Sequence, residues 1–125
     1  MGVLFIMVAI SAFAQREPIR LYVSQKGNDR WTGRYAVPNA GRADGPFATL
    51  SRAQQAVREL RKQGVNRPIE VVVAEGTYYL DEPLVFIPED SGTAQSPVIY
   101  RAERTGRVIL SGGKPVAGWR RVEGN

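Results

Sequence analysis

The sequence predicts a mainly β chain with one α-helix, and three observations carry that reading. In residues 68–87, Ile69, Val71 and Val73 alternate with Glu70, Val72 and Ala74, a period of two that marks a strand with one face turned inward. Short β-branched and aromatic runs then recur at close spacing, separated by turns too small to hold a helix. One segment, about residues 50–63, has helical spacing: Ala53, Ala56, Val57 and Leu60 fall at i, i+3, i+4 and i+7 and form a single apolar stripe.

Taken in order, residues 1–14 (MGVLFIMVAISAFA) are apolar and uncharged and too short to span a bilayer. Ala12 and Ala14 are small residues three and one before a signal-peptidase cut at Gln15, so the segment reads as a signal peptide and the chain as secreted. No Lys or Arg precedes the apolar run, which departs from the usual pattern; the competing reading is a buried strand. Residues 20–24 (RLYVS) read as the first strand after the cut, and residues 25–44, rich in Gly, Asn, Asp and Pro, as a surface loop. For the helix, Ser51 with Gln54 fits a capping box, while Thr49 is a rival N-cap. Arg58, Arg61 and Lys62 lie toward its C-terminus, where cations offset the helix dipole, and Gly64 ends it. The two alanines of its stripe let it lie close against a sheet.

Gly76 breaks the first strand of the 68–87 stretch, Thr77 to Leu80 form a second strand-like run, and residues 84–87 (LVFI) a third after Pro83. Residues 88–97 are a polar loop, and Val98, Tyr100 and Ala102 mark another short strand. Val108, Ile109 and Leu110 form one more, stopped by Ser111, Gly112 and Gly113, and residues 116–122 are read as beginning a last one that contains Trp119.

Composition limits function. A length of 125 residues allows one small domain, and 43% hydrophobic residues argue against a disordered chain. The net charge is +5, but the arginines are spread from Arg16 to Arg121 without a basic stripe, which speaks against nucleic acid and leaves an acidic polysaccharide as a partner. The chain has no Cys and no His. That removes a disulfide framework, a thiol nucleophile, thiolate metal sites and the commonest general base.

Chemistry within these residues must therefore use Asp, Glu, Lys, Arg, Tyr or Ser. Glu75, Asp81, Glu82, Glu89 and Asp90 are candidates by type for paired-carboxylate catalysis, but all sit in turns, where carboxylates are ordinarily solvated. Lys26, Lys62 and Lys114 have no surroundings that would make them reactive. Asn28 and Asp29 are read as turn formers, because a calcium site needs more oxygens at defined spacing. Trp31 and Tyr35 have two readings, stacking on sugar rings or pinning a long loop to the body, and the second is preferred. Gly112, Gly113 and Lys114 fail as a phosphate loop, since Val108 stands where the first Gly is required and Pro115 replaces the Ser or Thr. No catalytic, cofactor-binding or metal-binding residue is assigned.

Taken together, LYVSQKGND-WTG, DGPFATLSRAQQAVREL, VVVAEGTYYLDEPLVF, PVIYRAE and VILSGGKPVAGW, from Leu21 to about Trp119, resemble the opening segment of secreted bacterial right-handed parallel β-helix proteins, the pectate-lyase-like superfamily that includes several glycoside hydrolase families. The resemblance implies that the helix caps the open end of the β-helix core, that Gly76 permits the first corner with Tyr78 and Leu80 pointing inward, and that residues 15–125 are the N-terminal cap and first coils of a longer protein. Members of that superfamily carry their catalytic groups on middle coils, and the lyases carry calcium there; nothing in this sequence matches those motifs. The implied protein is a secreted glycoside hydrolase or polysaccharide lyase acting on a glycan, with no complete active site and no cofactor in these residues and no membrane contact after signal cleavage. The alternative is a non-catalytic β-helix adhesin or glycan-binding module. A complete small basic protein that binds an acidic polymer is a third reading, opposed by the strand edge it would expose.

Overall fold

The computed structural model describes residues 16–122 together with Gly2 and Gly124. Apart from Gly2, the segment read as a signal peptide lies outside the described residues. In chain order the elements are β1 (Ile19–Val23), α1 (Leu50–Lys62), β2 (Ile69–Val73), β3 (Gly76–Tyr79), a 3₁₀ turn (Pro88–Asp90), β4 (Val98–Ala102) and β5 (Val108–Ser111). They form two small sheets, β1-β2-β4 and β3-β5, in which every pairing is parallel.

The chain alternates between the sheets. After β2 it turns through Ala74 and Glu75 into β3, crosses back to β4, and turns again into β5. Ile69 is in register with Val98, an offset of 29 residues, and Gly76 with Val108, an offset of 32. The first pass is longer: Ile19 pairs with Ile69, an offset of 50, because it also carries the 25–47 loop and α1.

The inner faces make one core. Leu21, Val23, Ile69, Val71 and Val73 from the first sheet and Tyr78 from the second pack with Phe47 and with Leu50, Ala53, Ala56 and Val57 of α1. This is the apolar stripe expected from sequence, and both Ala53 and Val57 are fully buried. Val72 points to the outer face yet is buried too, with Tyr22 and Arg101 as its register neighbours. Apolar residues on both faces of a strand are usual for parallel sheets.

Of the two N-cap readings, Thr49 is the one adopted. Its Oγ1 accepts a hydrogen bond from the Arg52 backbone N–H at 3.1 Å. Asp29 reinforces it: one carboxylate oxygen accepts from the N–H groups of Ala48 and Thr49 at 2.8 and 2.9 Å, and the other from the Thr49 hydroxyl at 2.8 Å. A carboxylate here also complements the positive end of the helix dipole. Ser51 lies inside the helix, and Gln54 turns inward to donate to the Val85 carbonyl at 2.9 Å.

The outer edge of β1 is closed by the long loop. Ile19 N–H donates to Pro68 O, so Ile19, Leu21 and Val23 face β2 while Tyr22 and Ser24 present their backbone groups on the opposite edge. There Tyr22 N–H donates to Gly33 O, Phe47 N–H donates to Tyr22 O, and Ser24 N–H donates to Phe47 O. Gly33 has φ +70°, and a Cβ at this position would stand 2.2 Å from the Phe47 ring. Asp44 fixes the loop's other limb by accepting from the N–H and hydroxyl of Thr32 and from Gly45 N–H.

Three sequence expectations are corrected. Residues 84–87 are not a strand: Leu84 reaches the core, but the Val85 carbonyl is taken by Gln54 and Arg58 side chains, so no backbone ladder forms through it. Residues 116–122 are likewise not a strand among the described residues, and Val116, Trp119 and Val122 are exposed. Finally, Asp90 is not a solvated turn residue. It is 4% exposed and holds the guanidinium of Arg58 through bonds of 2.5 and 2.6 Å, while also accepting from Ile87 N–H at 2.8 Å. Arg58 thus fastens α1 to the 3₁₀ turn, and Arg61 ties the helix end to the carbonyls of Val65, Arg67 and Ser96.

The bond from Arg58 holds the Asp90 carboxyl below its ordinary pKa of 3.8, and backbone donation from Thr32 does the same for Asp44. Depressed carboxyl pKa values contribute stability that is complete above the ordinary carboxylate range and is lost as pH falls through the lower folded values. The thermal midpoint should therefore stay level from pH 7 to about 5 and fall below about 4, with Asp90→Ala costing about 2–3 kcal/mol at pH 7 and flattening that fall. Gly33→Ala should unfold at a clearly lower temperature than Gly41→Ala, because a Cβ at Gly41 meets nothing within 4 Å; a thermal melt of the two variants compares them.

Candidate functional site

Two concave surfaces flank the core, one on each sheet. The first follows from the alternation of β3. Tyr78 turns inward, is 6% exposed, and donates its hydroxyl to Ala74 O at 2.8 Å, so Thr77 and Tyr79 face outward. Their register partners on β5 are Ile109 and Ser111. Between this face and the start of α1 lies a groove of about 590 Å³, lined by Gln25, Thr49, Ser51, Thr77, Asp81 and Glu82 among others. Gln25 spans it, donating to Thr77 O at 2.7 Å. Tyr79, Asp81 and Glu82 are exposed on its rim. Hydroxyls, an amide, two carboxylates and an aromatic ring suit hydrogen bonding and stacking against a polyhydroxylated ligand. The groove is open to water at both carboxylates.

The second surface is the outer face of the three-stranded sheet. Arg20 and Glu70 share one register position, and Arg101 stands two residues beyond the register partner of Glu70. One Glu70 carboxylate oxygen accepts from Arg20 Nε at 3.0 Å and from an Arg101 Nη at 3.4 Å. The Arg20 bond holds the Glu70 carboxyl below its ordinary 4.5. Beside it is a hollow of about 640 Å³ whose lining includes Arg16, Glu17, Asn66, Glu70, Gln95 and Ile99.

Of the carboxylates weighed from sequence, only Asp81 and Glu82 share a groove. Asp90 is buried in its ion pair, Glu89 is exposed on the 3₁₀ turn, and Glu75 is an exposed corner residue with Arg104 3.9 Å away. Asn28 and Asp29 act as turn formers: Asn28 accepts from Arg30 N–H at 3.0 Å, and Asp29 is occupied at the helix N-cap. Lys26, Lys62 and Lys114 are exposed. Trp31 is half-buried and lies over Gly45, where a Cβ would meet its ring at 2.7 Å, whereas Tyr35 is 52% exposed. Pinning the loop thus describes Trp31 and not Tyr35. Among the described residues no three His, Cys, Asp or Glu side chains come together as a metal site, and no helix is long and apolar enough to cross a membrane. Sequence reasoning missed Glu70 and Gln25. Glu70 was visible as an outward carboxylate on β2, but its arginine partners lie 50 and 31 residues away in sequence.

No family model and no curated protein matches the chain. A solved structure of a glycoside hydrolase is similar to it, with 35% sequence identity over 82% of this chain and a TM-score of 0.69. The similar region is 16% of that protein's chain. The fold is therefore glycoside hydrolase-like: mainly β, with parallel strands in small sheets and one helix.

Glu70→Gln should lower the thermal midpoint at low ionic strength by leaving Arg20 and Arg101 without their shared anion. The difference from the parent should shrink in about 1 M NaCl, where the Debye length falls to about 3 Å.

Proposed function

We propose that this chain is the N-terminal cap and first coils of a right-handed parallel β-helix in a secreted carbohydrate-active protein. The parent is a glycoside hydrolase or a polysaccharide lyase acting on a glycan, with its catalytic groups on coils beyond these residues. The observation that carries the reading is the 35% identity over 82% of the chain to a part of a glycoside hydrolase.

The geometry supports it. Two passes of chain lay parallel strands on two sheets in turn, and α1 packs against the interior at the first pass, as a cap would. Parallel β-crossover-β connections are right-handed in about 98% of cases, which favours that hand. The carboxylates of these residues are paired with arginine, occupied in turns or open to water, and a hydrolase needs two carboxyl groups aimed at one bond. Residues 1–14 supply the export signal in this reading, and calcium is required only if the parent is a lyase.

Expression of the full reading frame in a bacterium, with mass spectrometry of the exported product and a polysaccharide panel, tests the proposal. A mature N-terminus at Gln15 and release of new sugar ends by the full-length protein, with none released by residues 15–125 alone, is the expected result. Unsaturated products would assign the lyase. Full activity in residues 15–125, or no depolymerisation by the full-length protein on any glycan, would overturn the reading.

A further inference from the structure

We infer that the groove between β3 and the start of α1 binds an uncharged glycan, held at the edge of β3 and against the Tyr79 ring. Taking the polyhydroxylated ligand to be a glycan rests on the reading proposed above; the site itself is built from these residues alone.

Gly76 N–H donates to Arg107 O and Leu80 N–H to Ser111 O, so Gly76, Tyr78 and Leu80 turn their backbone groups toward β5. Thr77 and Tyr79 turn theirs the other way, toward the groove. The corresponding edge of β1 is closed by Gly33 and Phe47. On β3 one side chain takes that place: Gln25 Nε2 donates to Thr77 O at 2.7 Å. The N–H groups of Thr77 and Tyr79 and the carbonyl of Tyr79 have no protein partner among the described residues. These donors and this acceptor stand beside a cavity of about 590 Å³, inside the range of roughly 300–1,000 Å³ of small-ligand sites.

Gln25 decides what can use that edge. An added strand pairs through both the N–H and the C=O of alternate residues. Thr77 O is already occupied, so only Tyr79 keeps both groups, too little to carry a strand. A sugar has no such repeat to satisfy, and each of its hydroxyls can donate or accept. The local backbone is shaped to hold the amide there. Gly76 has φ +144°, and a Cβ at this position would stand 2.6 Å from Gln25 Oε1. Glycine thus lets the amide lie against the strand, where Oε1 adds an acceptor next to the unpaired N–H groups.

The remaining walls suit the same ligand. Tyr79 is 49% exposed, so its ring offers an apolar face to the C–H side of a sugar while its hydroxyl stays wet. Ser51 adds a hydroxyl on the helix side, whereas that of Thr49 is spent in the N-cap. Charge then selects among sugars. The chain carries a net +5, yet the groove lining holds two carboxylates, Asp81 and Glu82, and no Lys or Arg. Neither carboxylate is in an ion pair among the described residues. Carboxylates accept charge-assisted bonds from sugar hydroxyls and repel an acidic sugar. The groove therefore takes neutral sugars and rejects uronates, the opposite of what the overall charge favours.

Hydrogen exchange on the full-length protein, made from its complete reading frame, tests the inference. Neutral oligosaccharides of xylose, mannose or glucose are compared with oligogalacturonate. At least one neutral oligosaccharide should slow exchange of the Thr77 and Tyr79 amides by about threefold or more, and oligogalacturonate should not. Tyr79→Ala should lose the slowing, while Glu75→Gln, outside the groove, keeps it. No slowing by any neutral oligosaccharide, slowing by oligogalacturonate, or slowing that survives Tyr79→Ala would overturn the inference. So would protection by an alternating threonine-valine peptide in place of a sugar, which would mark the edge as a strand acceptor. The readout needs no catalysis. Protection in a protein that cleaves no glycan would refute the proposed activity and leave the groove's ligand standing, and cleavage without protection would do the opposite.

Discussion

Parallel backbone pairing governs this molecule. A parallel strand cannot return to its partner through a tight turn, so each strand must be supplied by a fresh pass of chain. Each pass satisfies one edge of the strand below and offers a new edge above. Here that rule links β1, β2 and β4 in one sheet and β3 and β5 in the other, with alternate backbone groups of β2 divided between its two neighbours. What begins such a stack needs a cover that is not a strand, and the 25–47 loop and α1 provide it.

The cover is held by backbone bonds from the loop to β1 and by side chains that anchor the helix. Phe47 carries the loop onto β1, Asp29 joins the loop to the helix N-terminus, Arg58 reaches the buried Asp90, and Arg61 collects three carbonyls. The bonds of Asp29, of Arg58, and of Arg61 with Ser96 span 20 to 35 residues of sequence and give α1 a fixed position over the core. The stripe of Ala53, Ala56 and Val57 lets it approach closely, so the interior at the first pass is packed with apolar side chains. The outer faces are different in character, with an arginine-glutamate cluster on one sheet and a hydroxyl- and carboxylate-lined groove beside the other.

Much of this was legible in the sequence. The alternation around Val71 and the helical stripe follow from periods, the inward turn of Tyr78 and Leu80 from the family resemblance, and local chemistry offered both Ser51 and Thr49 as caps, of which Thr49 is adopted. Failures occurred where the outcome depends on a neighbour. The LVFI run of residues 84–87 has every local mark of a strand, but Val85 O bonds to Gln54 and Arg58 side chains instead of a strand. Residues 116–122 have strand composition and no adjacent strand among the described residues. Asp90 looked like a turn carboxylate because its partner, Arg58, lies 32 residues earlier on the helix. No site residues were assigned from sequence, and the groove's Asp81 and Glu82 come together with Gln25 and Ser51 only through the fold.

Successive passes stack in parallel at fixed register, and because residues 1–125 contain no cysteine, a disulfide mapped between two cysteines introduced in this segment reports that register. Thr77 and Ile109 are register partners on the outer face of β3 and β5. Neighbouring strands lie about 4.8 Å apart, within the Cα separation a disulfide tolerates. In the full-length protein, the double variant Thr77→Cys with Ile109→Cys should form an intramolecular disulfide under mild oxidation, while Thr77→Cys with Arg107→Cys, displaced two positions along the strand, should not. Cross-linking of the displaced pair in preference to the register pair would contradict the account.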